Sequence, residues 1–431
     1  MPAADLFSRA KPEPYWWEAA PRPVSIDAAL PTPVDVLVIG AGYTGLTAAR
    51  ETARGGRSTV VIDAEDLGWG CSSRNGGQVS TSIKPSFDSL AGKYNQDLAY
   101  RIRCEGINAL DYTKALIGRE KLDVDWHEKG RYHAAHTKKA FDEMAAFARA
   151  QPQGLEVPME IVSKAEQPRE LVTPRYFGGA VFPRHAALQP AKYANELIRL
   201  ARAAGATLIG KCRALAVEKD GKGFRVRTSR GEITARDVLV ATNGYTPHMF
   251  PWQRRRVIPI GSYILSTDPI PGGAKQFIPA DRVVSDTRRV VIYYRSSPDG
   301  QRIIFGGRAR LGERDPLKCL PRLHQMLTWV HPNLAETPVS HTWMGFVAYT
   351  FDKLPHLGRQ DGLWYCMGYC GSGVSLAGYF GMRIGQQILG LKEGQTALDS
   401  LAFATRPLYD GRPWFLAPSV AAYRALDAMG V

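Results

Sequence analysis

The chain has 431 residues, of which 45% are hydrophobic and 22% are charged, and its formal net charge at pH 7 is +14. This composition is typical of a folded globular protein, and the length exceeds the roughly 250–300 residues at which one hydrophobic core usually divides, so we expect two domains. The basic residues are scattered, with Arg254-Arg255-Arg256 as the longest run. Together with the absence of any nucleic-acid-binding motif, this scatter argues against a nucleic-acid partner.

The six cysteines include no C-x-x-C pair. We therefore expect neither a disulfide framework nor a structural zinc site, and we expect no metal at all. Residues 1–33 have no apolar core of a signal peptide, and no run approaches the roughly 18 apolar residues of a membrane span, so we expect a cytoplasmic protein. The prolines and tryptophans of 1–33 predict an extended arm that packs on the body of the protein.

The most informative stretch is 34–63. A short apolar strand (34–39) leads into Gly40-Ala41-Gly42-Tyr43-Thr44-Gly45, and a helix and a second apolar strand follow, ending at Asp63. In a G-x-G-x-x-G turn the glycines allow the tight bend, the approach of a pyrophosphate and the packing of helix on strand, while the acid binds ribose hydroxyls. The pattern predicts an adenine dinucleotide site but does not choose between NAD and FAD.

The rest of the chain alternates between helical and strand patterns. Helical periodicity is found at 88–118, 138–150, 190–204, 320–330 and 374–389, and strand alternation at 224–234, 237–241, 262–266, 290–295, 302–307 and 363–367. A second glycine turn, 368–373, stands between the last strand and the last of these helices. Its helix N-terminus would suit an oxygen or a developing negative charge at the far end of an elongated cofactor.

Seven stretches in order resemble the D-amino-acid-oxidase-like flavoproteins, and within them the γ-glutamylputrescine oxidoreductase-like branch. They cover nearly the whole chain and are residues 38–46, 68–78, 241–246, 304–308, 343–346, 352–359 and 368–373. The resemblance implies an α/β fold with a discontinuous Rossmann-like FAD-binding domain (1–85, 178–247 and 340–431). It also implies a mostly antiparallel-sheet substrate domain (86–177 and 248–339).

The resemblance also implies which residues hold an FAD that is bound non-covalently. Asp63 would bind the adenosine ribose, the loop 69–78 would run along the flavin and pyrophosphate, and the turn at 371–373 would face the flavin's pyrimidine edge. Relatives often carry His where Ser372 stands, and covalent attachment through Cys71 is not expected. The full set of cofactor candidates is Gly40, Gly42, Tyr43, Thr44, Gly45, Asp63, Ala64, Gly70, Cys71, Ser72, Ser73, Arg74, Asn75, Gly76, Gly77, Gln78, Ala214, Thr242, Gly244, Gly371, Ser372, Gly373 and Val374.

Substrate candidates come from the second sheet and the C-terminal strand. Arg308 could clamp a carboxylate or form a structural ion pair. The aromatic residues could form an amine-binding cage or simply pack in the core. The candidates are Tyr263, Tyr294, Arg308, Trp343, Phe346 and Tyr349, and no catalytic acid or base is identified.

The implied activity is oxidation of a C–N bond in a small amine or amino acid. The α-hydrogen would leave as a hydride to flavin N5, the imine would be hydrolysed, and O2 would be reduced to H2O2. A γ-glutamylputrescine-like substrate is the leading expectation, with a secondary amino acid such as sarcosine, proline or pipecolate as the alternative. A dehydrogenase that passes electrons to a quinone or protein, and a flavin-binding protein without turnover, remain open, as does the oligomeric state.

Overall fold

The fold is described by a computed structural model over residues 6–23, 29–308 and 315–430. The helices with both ends in these ranges are α1 (Trp16–Ala19), α2 (Tyr43–Arg54), α3 (Phe87–Lys93), α4 (Gln96–Glu120), α5 (Lys138–Arg149), α6 (Pro190–Ala203), α7 (Pro251–Arg254), α8 (Pro316–Val330), α9 (Gly373–Ile388) and α10 (Leu416–Met429). Among the described residues, every helix is too short or too polar to cross a lipid bilayer.

The strands fall into two large sheets and one short ladder. They are β1 (Val34–Ile39), β2 (Thr59–Ile62), β3 (Gln78–Val79), β4 (Arg131–Ala134), β5 (Glu160–Val162), β6 (Gly179–Phe182), β7 (Ala186–Ala187), β8 (Thr207–Ile209), β9 (Ala214–Asp220), β10 (Gly223–Thr228), β11 (Gly231–Val240), β12 (Ile258–Thr267), β13 (Val283–Asp286), β14 (Tyr293–Ser296), β15 (Ile303–Gly307), β16 (Val339–Tyr349), β17 (His356–Gln360) and β18 (Leu363–Met367).

The first sheet has the strand order β17-β18-β11-β1-β2-β8, with β10 and β9 added as a meander on β11. The strands from β18 to β8 run parallel, and β1 lies between β2 and β11, so that Val36 is opposite Thr59 on one side and Asp237 on the other. The buried, apolar β1 and β2 are what a parallel sheet covered on both faces requires. Their carboxyl ends meet at one edge, where α2 begins.

The second sheet has the order β16-β12-β15-β14-β13-β4-β6-β5 and is antiparallel except for the β13–β4 pair. One face packs on α8 through residues such as Tyr263, Leu265 and Phe305. The other face turns towards the first domain, where Ile264 and Trp343 pack against Trp16 of the N-terminal arm. The expected α/β class, a Rossmann-like unit joined to a mostly antiparallel sheet, is confirmed.

The packing divides the chain differently from the expected boundaries in two places. Helices α3 and α4, expected in the substrate domain, share a core with α2 and α9, because apolar residues of α4 such as Ile102 and Ala109 lie in that cluster. Strands β6 and β16, expected in the FAD domain, pair with the second sheet. In both cases the element packs or pairs with its neighbour in space, which is not its neighbour in the sequence.

Candidate active site

A cavity of about 480 Å³ opens where the carboxyl ends of β1 and β2 meet the first turns of α2 and α9. Ligands of open α/β sheets bind at this kind of edge, and the volume falls in the range of small-molecule sites. The cofactor and substrate candidates that line it are Gly40, Gly42, Tyr43, Thr44, Asp63, Ala64, Gly70, Cys71, Ser72, Asn75, Ala214, Thr242, Phe346, Gly371, Gly373 and Val374.

The first glycine turn has the close contacts that its sequence requires. Gly40 has φ +113°, and a Cβ there would lie 2.8 Å from the carbonyl oxygen of Ala241, which directly follows the neighbouring strand β11. A Cβ on Gly45 would collide with the carbonyl oxygen of Gly40. Gly45 therefore sets how closely α2 approaches the turn, although it does not itself line the cavity.

Asp63 follows β2 directly and fastens the turn. Its Oδ2 accepts a hydrogen bond from the Ala41 amide at 2.7 Å, and its Oδ1 accepts from the Glu65 amide at 3.0 Å. Burial raises the pKa of Asp63, and these two amides oppose that rise. Each carboxylate oxygen has a second lone pair, so Asp63 can still accept from the hydroxyls of a ribose in the cavity.

The N-termini of α2 and α9 converge on the cavity because glycines let the two helices cross closely. A Cβ on Gly381 of α9 would lie 2.5 Å from the Thr44 carbonyl oxygen of α2. The Thr44 hydroxyl is 2.6 Å from the Tyr369 hydroxyl, which joins the first turn to the second. Two positive helix ends therefore face one cavity, an arrangement suited to a ligand with negative charge at two places.

The loop 69–78 covers one side of the cavity and is held by its own polar groups. The Asn75 amide nitrogen donates to the carbonyl oxygens of Cys71 (3.1 Å) and Ser72 (2.9 Å). The Ser72 hydroxyl accepts from the Tyr43 amide at 3.0 Å, at the start of α2. Its own proton stays available for a phosphate oxygen placed at this helix end.

The N-terminal arm holds this loop in place. The sequence predicted that the arm packs on the body of the protein, but not that it contacts this loop. The Trp16 indole N–H donates to the Asn75 carbonyl oxygen at 2.9 Å, and the Trp17 indole N–H donates to the Ser73 hydroxyl at 3.0 Å. Trp16 is 1% exposed. The arm thus buries an aromatic anchor beneath the loop that lines the cavity.

Several cofactor candidates support the cavity without lining it. The Arg74 guanidinium contacts the rings of Trp17 and Trp69 and donates to the carbonyl oxygens of Trp69 and Met344, and Arg74 is not among the lining residues. Gly77 has φ +69° and lies against the Leu188 carbonyl. Three others donate a hydrogen bond to a backbone carbonyl oxygen: Ser73 to that of Gly68, Gln78 to that of Val284 and Ser372 to that of Tyr369. The last two pack against aromatic residues, Gly76 against Tyr293 and Gly244 against Phe346.

Cys71 lines the cavity as a thiol. Burial raises its pKa to about 11, and the nearby Arg74 opposes that rise. Because the thiolate is the reactive form of cysteine, this environment keeps Cys71 unreactive at neutral pH. The expectation of a non-covalent cofactor is consistent with this chemistry.

The substrate candidates separate by the face of the second sheet on which they lie. Tyr263 and Tyr294 are fully buried on the face that packs on α8, which is turned away from the first domain. Side chains alternate between the two faces of a strand, and the sequence pattern did not show which residues take which face. The neighbouring Ser262 and Tyr293 face the first domain instead, with their hydroxyls 2.8 Å apart. Arg308 is buried at the end of β15, where it donates to the Gly261 carbonyl at 2.9 Å, and it does not line the cavity.

The remaining aromatic candidates come from β16. Phe346 lines the cavity. The Tyr349 hydroxyl lies 3.7 Å from the point that a Cβ would occupy if Gly371 had a side chain. Trp343 is buried and donates to the Arg74 carbonyl at 2.8 Å, which makes it part of the loop's support. Tyr245, which was not predicted, lines the cavity between Trp69 and Phe346 and accepts from the Phe346 amide at 3.1 Å.

Other lining residues were not among the candidates. Only their positions in the sequence could have identified them, because they flank the predicted glycine turns and strand ends. Asn243, for example, has φ +45° and accepts from the Gly368 amide, which ties the strand end to the second turn. The set is Ile39, Ile62, Glu65, Trp69, Cys212, Arg213, Ala241, Asn243, Tyr245, Pro247, Val347, Ala348, Tyr369, Cys370 and Ala377.

This set of residues fits an FAD. Asp63 would supply an acceptor for ribose, the α2 N-terminus and the Ser72 hydroxyl would supply donors for a pyrophosphate, and Gly371 with Gly373 would supply backbone amides for the far end. The apolar and aromatic side chains between these ends suit a flat ring system.

Comparison with known proteins identifies the family. The family model described as DAO, FAD dependent oxidoreductase, matches residues 35–387. A probable oxidoreductase OrdL of Rhizobium meliloti (strain 1021) is 31% identical over 400 residues, 92% of each chain. Gamma-glutamylputrescine oxidoreductase of Escherichia coli (strain K12) is 28% identical over 407 residues, 92% of this chain and 93% of that one.

Among solved structures, glycine oxidase from Geobacillus kaustophilus superposes with a TM-score of 0.71 at 20% identity, covering 88% of this chain and 99% of that one. This likeness extends the shared fold over both sheets. The chain belongs to the DAO family of FAD-dependent oxidoreductases, and FAD is its cofactor.

Proposed function

We propose that this protein is an oxidase of a small amine or amino acid, with a γ-glutamylputrescine-like amine as the leading substrate class. The observation that carries the proposal is the convergence of two helix N-termini and the Asp63 carboxylate on one cavity. Two relatives support the choice of a C–N bond: one is named gamma-glutamylputrescine oxidoreductase, and a structural neighbour is named glycine oxidase.

The residues of the chain would bind and orient the cofactor. Asp63 would accept from the ribose hydroxyls, and the amides at the start of α2 together with the Ser72 hydroxyl would hold the pyrophosphate. The amides of Gly371 and Gly373 would stabilise negative charge at the flavin's pyrimidine edge. When bound, the flavin supplies the two-electron acceptor for the reaction.

The apolar wall would prepare the substrate. Tyr245 and Phe346 line the cavity with their rings in edge contact, and this apolar surface would shield a bound amine from water. A protonated amine loses solvation in such a place, so the cavity favours the neutral amine, which can release a hydride from its α-carbon. Orientation and desolvation are then the main contributions of the protein, and no side chain is needed as an obligatory acid or base.

The experiment is anaerobic titration of the purified holoenzyme with a panel that contains γ-glutamylputrescine, sarcosine, proline, pipecolate and glycine, followed by flavin absorbance. We expect an amine of this panel to bleach the flavin and air to restore its colour with one H2O2 per amine oxidised. Bleaching that only an added dye or quinone reverses would instead indicate a dehydrogenase. A bound flavin that no member of a broad amine panel reduces would refute the proposal and favour a role without turnover.

A further inference from the structure

The last described helix, α10, has an outer stripe without charge. Its charged side chains bond the body of the protein instead. Arg424 donates to the Arg308 carbonyl oxygen at 2.7 Å, and Asp427 accepts from the Arg289 and Val290 amides at 3.0 and 3.1 Å. A surface helix normally carries polar residues on its outer side, so this stripe indicates a face that a partner covers. Its exposed residues, spaced three or four apart, are Pro418, Ala421, Ala422, Ala425, Ala428 and Met429.

The loop 406–414, which precedes α10, continues this apolar surface. Tyr409 is buried in the loop, and its hydroxyl donates to the Val257 carbonyl oxygen at 2.6 Å. Leu408 and Trp414, in contrast, are 88% and 67% exposed. Leu408 also has φ +63°, a left-handed conformation that disfavours leucine and suits asparagine or glycine. The chain thus keeps a large apolar side chain in water at a position where the backbone favours a smaller residue. Strain of this kind is typical of functional surfaces.

Arginines lie at both ends of this surface, which we call the C-terminal face and define as the outer stripe of α10 with Leu408 and Trp414. At the loop end, Arg406 and Arg412 are exposed, and the exposed Arg255 donates to a loop carbonyl oxygen at 3.2 Å. At the other end, the exposed Arg289 is fixed to the last turn of α10 through its backbone amide. The loop has one acid, which pairs with Arg412 at 3.3 Å. The face is therefore apolar along its middle and positive at both ends.

Two properties of the C-terminal face favour a lipid surface over a protein partner. First, the side chains of the α10 stripe carry no hydrogen-bonding group, whereas protein–protein interfaces have about one hydrogen bond per 100–200 Å². Second, both ends of the face are positive. If two copies of the chain paired through it, arginines would meet arginines in either orientation, and like charges at an interface are unfavourable. A bilayer with anionic headgroups is compatible with the apolar middle and with both positive ends.

We propose that the C-terminal face docks this protein on the surface of an anionic lipid bilayer. Leu408 and Trp414 enter the boundary between headgroups and acyl chains, where tryptophan is the preferred aromatic residue, and α10 lies along that boundary. The arginines at the two ends bind lipid phosphates. This inference is independent of the proposed oxidation, because the face contributes no residue to the cofactor cavity.

The first test is flotation of the holoenzyme with vesicles. One set contains equal parts of phosphatidylglycerol and phosphatidylcholine, and the other contains phosphatidylcholine alone. We expect the protein to float with the anionic vesicles, to bind the neutral ones far more weakly, and to lose binding as salt is added, because salt screens exposed charges. Equal binding to both kinds of vesicle, or binding to neither, would overturn the proposal.

The Leu408→Asn variant separates docking from folding. Asparagine tolerates the left-handed conformation, so the melting temperature should be native or higher, with unchanged FAD content. Affinity for anionic vesicles should fall by about tenfold or more, the effect of losing one buried leucine. Leu391→Asn, at an exposed leucine after α9, is the matched control and should bind as the native protein does. A folded Leu408→Asn protein with native vesicle affinity would contradict the assignment.

The charges are tested in the same flotation assay. Arg406→Gln should weaken binding to anionic vesicles about fivefold, the usual contribution of one basic residue near an anionic membrane. Arg202→Gln, which removes an exposed arginine of α6, should leave binding unchanged. Equal losses in the two variants would show that only the overall charge matters, and the proposed face would then be wrong.

A second copy of the chain is the competing occupant of the C-terminal face. Light scattering in lipid-free buffer measures the mass of the native protein and of the Leu408→Asn and Trp414→Ser variants. We expect the same mass for all three. A native oligomer that either variant dissociates would overturn the proposal and assign the face to self-association.

Discussion

The close crossing of α2 and α9 can be tested with a single methyl group. In Gly381→Ala the new Cβ would lie 2.5 Å from the Thr44 carbonyl oxygen and 2.9 Å from the Thr44 Cα. Both are backbone atoms in the first turn of α2, so no side chain can rotate away. Ordinary contact begins at 3.4 Å, and α9 must therefore withdraw by about 0.9 Å.

This displacement has two expected costs. Overpacking in a core costs about 1–3 kcal/mol, and the better helix propensity of alanine returns about 1 kcal/mol, so the net loss of stability should be up to about 2 kcal/mol. The same movement separates the helix ends that face the cavity. Loss of one charge-assisted hydrogen bond to the cofactor, about 1.5–3 kcal/mol, corresponds to FAD binding that is weaker by roughly 10–150-fold.

The assay is FAD titration of the apoprotein by flavin fluorescence, with the melting temperature measured on the same samples. Gly378→Ala is the matched control, because it lies on the same helix and its new Cβ meets the Tyr193 hydroxyl at 3.3 Å, with the next atoms at 3.8 Å or more. A side-chain tip can shift, so this variant should keep FAD affinity and stability. Gly381→Ala with native affinity and native melting temperature would refute the account of the crossing.

Three further outcomes are expected. Asp63→Ala should weaken FAD binding by about tenfold or more, since it removes the proposed ribose acceptor and the bond to the Ala41 amide. Asp66→Ala, at a half-buried ion pair with Arg22, is the control in the same titration. Trp16→Phe should cost about 1 kcal/mol of stability in a urea melt, because the bond to the Asn75 carbonyl is lost. Burial raises the pKa of Asp286 to about 6, above the value of about 4 in the unfolded chain. Between these two pH values the folded protein binds a proton that the unfolded chain does not. The free energy of unfolding should therefore fall as the pH rises from about 4 through 6, by up to about 3 kcal/mol. In Asp286→Asn this part of the pH dependence of the urea midpoint should disappear, and an unchanged profile would contradict the assignment.

The dinucleotide unit could be predicted because its determinants are local. The apolar strands around Gly40 and Gly45 specify a parallel βαβ unit, and the collision that a Cβ at Gly45 would make explains why only glycine serves there. The second turn at 368–373 was found for the same reason. Its partnership with the first turn through Thr44 and Tyr369 is a contact across more than 300 residues, and no local pattern contains it.

The substrate side could not be predicted in the same way. Tyr263 and Tyr294 lie one residue away from side chains that face the first domain, and in a strand that single step moves a side chain to the opposite face. Lys84 has no motif around it, yet its Cε lies 4.0 Å from the position that a Cβ on Gly371 would occupy, almost 290 residues further along the chain. The loop 69–78 was recognised, but Arg74 has its guanidinium between two tryptophans that no spacing rule pairs.

The pairing of Thr44 with Tyr369 has a consequence for the synthesis of the protein. The first glycine turn leaves the ribosome early, whereas the second turn and the helix that follows it are complete only when residue 388, the end of α9, has been added. A nascent chain therefore presents half of a cofactor site through most of its translation, and tight retention of FAD must wait for the last quarter of the chain. Yellow colour in a cell extract would then report chains that were finished and folded, and not merely chains that were begun.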